Sequence, residues 1–84
     1  MKYQVRIAAS AEREMNKLPA VIHTRISRRI LLLEGDPRPR GAKKLSNREE
    51  YHLRVGDYRA LYTIDDEMGI VTVLAVGHRR EVYR

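Results

Sequence analysis

Polar and apolar residues alternate at the start of the chain, with Tyr3, Val5 and Ile7 set against Lys2, Gln4 and Arg6, and this period of two predicts a first strand from Tyr3 to Ala8. The period then lengthens. Ala11, Met15 and Leu18 fall at i, i+4 and i+7, with Glu12, Arg13, Glu14 and Lys17 turned away, so a short helix is expected with Ser10 as its cap. Pro19 breaks that helix and opens a second one, which runs to about Glu34 on a stripe of Ile22, Ile26, Ile30 and Leu33 flanked by Val21 and Leu31. Arg25, Arg28 and Arg29 sit mainly outside the stripe, His23 reads as a surface residue, and Gly35 ends the helix. The two helices read as an αα-hairpin whose apolar stripe packs onto a sheet.

The segment from Asp36 to Gly41 is expected to be a loop, because two prolines and a glycine within six residues exclude a helix or a central strand. Ala42, Lys43 and Lys44 continue it, and Leu45 anchors it to the core. Alternation returns at Tyr51, Leu53 and Val55, set against His52 and Arg54. Gly56-Asp57 is a two-residue hairpin signal in which Gly supplies a positive φ. Tyr58 to Ile64 then forms a strand, Asp65 to Gly69 a turn, and Ile70 to Val76 a last strand that is apolar on both faces and therefore central. The expected fold is α+β: one domain over residues 1–84, with two N-terminal helices packed on a small, mainly antiparallel four-stranded sheet.

The hairpin has a chemical consequence. With Gly56 and Asp57 as the loop, Arg54 lies directly across from Arg59, and like charges directly opposite destabilise a sheet. An anion lying over the pair would relieve that repulsion. A solvated sheet face is the bland alternative. His52 shares this face, and an even number of loop residues in the acidic turn places His78 there too, whereas an odd loop or a bulge reverses the assignment.

The charge balance sharpens the reading. With 17 Lys+Arg against 11 Asp+Glu, the chain carries a net charge of +6, which favours polyanionic partners such as nucleic acid or an acidic protein. Lys43 and Lys44 of the loop, and Arg80 and Arg84 of the tail, are candidates for phosphate-backbone contacts with RNA or the ribosome. Phe and Trp are absent, which argues against a conventional base-stacking platform. At this size about 60% of the unfolded surface can be buried, so stabilisation by a partner is expected. There is no cysteine to form a disulfide or a thiolate site, no signal-peptide pattern and no membrane-length apolar run, so a cytoplasmic location without membrane contact is expected.

No metal site and no cofactor are expected. His78 and Glu81 lie close in sequence without a third ligand spaced to join them, and Asp65-Asp66-Glu67 reads as a turn. Glu49 and Glu50, as neighbours on a strand, point to opposite faces and cannot act as a pair. A cluster of Arg, His and Tyr does suit metal-free phosphodiester chemistry on RNA. The ribose 2′-OH attacks the adjacent phosphate, arginine stabilises the pentavalent transition state, and a group of suitable pKa moves the protons. His is the natural candidate at neutral pH, and Tyr becomes one where neighbouring cations lower its pKa.

The string YHLRVGDYRALY at Tyr51 to Tyr62 and the tail VGHRREVYR at Val76 to Arg84 resemble the RelE branch of the RelE/ParE toxin superfamily. The order of the remaining elements matches that family over nearly the whole chain. The resemblance implies a toxin of a type II toxin–antitoxin system that enters the ribosomal A site and cleaves mRNA without metal, leaving a 2′,3′-cyclic phosphate and a 5′-hydroxyl. Its partners would be the ribosome, the mRNA and a cognate antitoxin, whose complex with the toxin would in turn bind operator DNA. The family's basic positions fall on His52 and Arg54 before the turn, Arg59 after it, and Arg79 in the tail, preceded by His78, with the terminal phenol at Tyr83. Two departures stand out. The two alternating positions are lysines in the best-studied members, and the segment where other members place a carboxylate holds Lys43 and Lys44. Arg59 and Arg79 are therefore expected to stabilise charge, with His52, His78 and Tyr83 competing as acid and base. The alternatives are a ParE-like inhibitor of DNA gyrase and a catalytically inactive nucleic-acid-binding homologue.

Overall fold

The computed structural model describes residues 2–45 and 49–78. Along the chain it forms β1 (Gln4–Ile7), α1 (Ala9–Asn16), α2 (Ala20–Leu31), a single 3-10 turn (Leu32–Glu34), β2 (Ala42–Lys44), β3 (Tyr51–Val55), β4 (Tyr58–Asp65) and β5 (Ile70–His78). The strands make one mixed sheet in the order β1-β5-β4-β3-β2. β1 runs parallel to β5, and the other pairings are antiparallel.

The sheet has five strands rather than the expected four. Ala42–Lys44, read as loop, pairs antiparallel with β3, with Lys43 opposite His52 and Lys44 opposite Tyr51. Three residues are too few to show a period, and lysines are the charged side chains that a short edge strand tolerates. Leu45 is half-buried, and its N–H donates to the carbonyl of Glu50. The start of α1 also differs. Ala8 occupies the N-cap without a side-chain bond, while the Ser10 hydroxyl lies inside the helix and donates to the carbonyl of Leu74. Pro19 is the N-cap of α2, and the helix tightens to the 3-10 turn after Leu31.

Both apolar stripes meet one face of the sheet. Ala11 and Met15 of α1, Ile26 and Ile30 of α2, and Leu33 pack with Leu53, Val55, Ala60, Tyr62, Val71, Val73 and Val76. Tyr62 is fully buried, and its phenol donates to the Pro37 carbonyl at 2.7 Å. The Pro-rich loop is thereby tied to the core. Its outer side is held by Arg38, which donates to both Asp66 carboxylate oxygens at 3.2 and 2.8 Å and to the Tyr51 hydroxyl at 3.0 Å. Tyr3 adds a bond to Asp66 at 2.7 Å, and these contacts hold the Asp66 carboxyl down at about 2. The acidic turn is thus a clamp on the loop. Among the described residues no helix is long and apolar enough to cross a membrane.

Candidate functional site

The second face of the sheet carries the cations. In β3 and β4 the register sets Arg54 directly opposite Arg59, and Gly56 takes φ +61° at the turn, as the sequence predicts. The repulsion between the two arginines is relieved by turning them apart. Arg54 Nε donates to the Gly56 carbonyl at 3.3 Å, while Arg59 Nη1 lies 3.4 Å from His52 Nδ1. Because guanidinium can only donate, this contact requires His52 Nδ1 to accept.

Lys43 comes in from the edge strand opposite His52. Together Lys43, His52, Arg54 and Arg59 line an open cleft of about 580 Å³, with Gly41, Gly56 and Asp57 completing the wall. Burial, then the charges of Arg59 and Lys43, push the His52 imidazole below its ordinary pKa. His52 is therefore neutral at pH 7 and has the protonation state of a base. Such a cleft favours an anion and opposes a metal cation, and among the described residues no three His, Cys, Asp or Glu side chains cluster.

Four of the sequence-predicted residues thus converge on one cleft, and others do not. Lys44 follows Lys43 by one residue and so alternates to the opposite side of the edge strand. His78 is on the helix-facing side, edge-on to the Tyr58 ring at 5.7 Å and beside Glu14 and Lys17. The β4–β5 loop is even, since Asp65 pairs with Ile70, but Tyr62 pairs with Val73 and Leu61 with Ala75. Leu74 is therefore one residue too many. This bulge reverses the alternation and sets Gly77, not His78, across from Arg59. Arg79, Arg80, Tyr83 and Arg84 lie outside the described residues. Asp57 and Gly41 also line the cleft, which the sequence does not signal: Asp57 reads as part of the turn alone, and only the pairing of β2 brings Gly41 to the rim.

A family model described as the ParE toxin of the type II toxin-antitoxin system parDE matches residues 5–83. The chain is 37% identical to Toxin RelG of Mycobacterium tuberculosis over 89 aligned positions, which cover 100% of this chain and 99% of that protein. Among solved structures it is similar to the toxin–antitoxin complex RelBE2 of Mycobacterium tuberculosis, with a TM-score of 0.84 and 35% identity over 94% of this chain and 100% of that one. It is also similar to the archaeal RelE–RelB complex of Pyrococcus horikoshii, with a TM-score of 0.84 and 26% identity over 98% of this chain and 100% of that one.

Proposed function

This chain is a RelE-like member of the ParE toxin family of type II toxin–antitoxin systems, and we propose that it is an endoribonuclease that cuts mRNA in the ribosomal A site. The observation that carries this reading is the His52–Arg59 contact, in a cleft that Arg54 and Lys43 also line. A scissile phosphate entering the cleft competes with His52 for the Arg59 guanidinium, which moves its N–H bonds to the phosphoryl oxygens. His52 Nδ1 is released by the same movement. Its lone pair takes the 2′-OH proton as O2′ bonds to phosphorus and the P–O5′ bond breaks. Arg54 and Arg59 offset the charge of the pentavalent transition state. The family resemblance gives Arg79 the same task in the tail, and with His52 as the base, Tyr83 is left to protonate the leaving 5′ oxygen. No step in this scheme needs a metal.

The solved RelBE and RelE–RelB complexes support a cognate antitoxin as the protein partner, and the net charge of +6 on this chain suits one with an acidic surface. Such a complex, acting in the cytoplasm, would also provide the route to operator DNA. The ParE description of the matched family favours a second reading, inhibition of DNA gyrase without RNA cleavage. Primer extension on a defined mRNA in a reconstituted translation system separates the two. Wild type is expected to give ribosome-dependent cuts at A-site codons with cyclic phosphate ends, and Arg59→Ala to lower the cutting rate by about 10²–10³-fold. Absence of cuts from folded wild type, with gyrase-dependent DNA damage instead, would transfer the assignment to gyrase.

A further inference from the structure

The cationic surface does not end at the cleft. Arg25 and Arg29 are one helical turn apart on α2 and so project from the same face. Each reaches a glycine at the cleft rim. A Cβ built on Gly56 would lie 3.9 Å from Arg25 Nη2, and one on Gly41 would lie 3.7 Å from Arg29 Nη2. Both glycines have positive φ, +61° and +96°, and both line the cleft. Neither position carries a side chain, so each arginine tip comes close to a glycine that lines the cleft. Among the described residues neither arginine is held by a carboxylate or by a hydrogen-bond acceptor, whereas Arg38 is locked onto Asp66.

We propose that Arg25 and Arg29 form a second phosphate-binding track, which holds the RNA backbone next to the cleft while Lys43, Arg54 and Arg59 hold the reacting phosphate. This rests on the reading of the cleft as an RNA site. The ligand is a phosphodiester backbone, from either the message or ribosomal RNA. RNA is favoured over an acidic protein because the two tips extend the boundary of a cleft already suited to phosphate. The two arginines are binding residues and take no part in proton transfer.

The test measures binding of the full chain to a short 2′-O-methyl oligoribonucleotide, which has no free 2′-OH to attack, over a range of salt concentrations. A parallel arm uses ribosomes with a vacant A site. Arg25→Gln/Arg29→Gln is expected to lower the slope of log K against log salt by about 1.4, because each single-strand phosphate contact contributes about 0.7. Arg25→Lys/Arg29→Lys should restore most of the slope, and Arg13→Gln/Arg28→Gln, which removes the same charge elsewhere, should leave it unchanged. Thermal melts confirm that each variant is folded. Loss on the oligonucleotide assigns the track to the message, and loss on ribosomes alone assigns it to ribosomal RNA. An equal loss in the Arg13/Arg28 control, or an unchanged slope in both arms, overturns the proposal. So does loss of binding to poly-L-glutamate with RNA binding intact, which would assign the track to an acidic protein. If wild type cuts mRNA in an Arg59-dependent manner but the track variant binds normally, only the track fails. If wild type binds RNA in neither arm, the RNA reading of the cleft fails with it.

Discussion

Tyr62→Phe tests the link between the core and the loop that leads to the site. The phenol is fully buried and donates to the Pro37 carbonyl at 2.7 Å, and its ring stacks on Tyr51 with centroids 5.8 Å apart. Phe keeps the ring and its packing but leaves a buried carbonyl without its donor. That loss costs about 1–3 kcal/mol. For a domain of this size each kcal/mol moves Tm by about 4–8 °C, so a fall of roughly 8 °C or more is expected for a loss near 2 kcal/mol. Differential scanning calorimetry and urea titration measure it directly. A second reading comes from pH. Burial, with a smaller contribution from Tyr51, pushes the Tyr62 phenol up to about 12, above the value near 10 of an unfolded tyrosine. The native state therefore keeps its proton longer than the unfolded chain does. Stability from this source is complete below about pH 10 and is lost as pH rises toward 12, and Tyr62→Phe should remove that alkaline slope. A Tm within 2 °C of wild type, or an unchanged alkaline slope, would refute the account of the loop anchor.

Other predictions follow from the same geometry. His52 has a lowered pKa in the fold, so cleavage should persist below the ordinary imidazole range near pH 6.5, and Lys43→Gln should move the acid limb of the rate profile upward; an unmoved limb would remove Lys43 from the causes. By the same linkage the unfolded chain takes up the His52 proton first, so this residue's contribution to stability falls as pH drops from about 6.5 through the folded value. The Asp66 carboxyl, held at about 2 by Arg38 and Tyr3, stabilises the fold above the ordinary carboxylate pKa near 4 and loses that effect as pH falls toward 2. Acid titration of Asp66→Asn should lack this component. Gly56→Ala places a Cβ at φ +61°, which should cost about 1–2 kcal/mol in a chemical melt even though the nearest group, Arg25, is at ordinary contact distance.

The sequence by itself determined whatever depends on near neighbours. The period-two run before Gly56-Asp57 specified the β3–β4 hairpin, its turn and the Arg54–Arg59 juxtaposition, because hairpin register follows from loop length. The helical stripes likewise identified the α1 and α2 residues that enter the core. Tertiary structure decided the rest. The inserted Leu74 cannot be recognised within an apolar run, yet it carries His78 from the arginine face to the helix side. Lys43 becomes a cleft residue only because three residues find a strand edge to pair with, and the parallel placement of β1 beside β5 depends on contacts more than sixty residues apart. The positions of Arg25 and Arg29 depend on how α2 is rotated on the sheet. Side-chain periodicity tells which helix face is buried, but only packing against a particular sheet decides where the tips of its polar side chains come to rest.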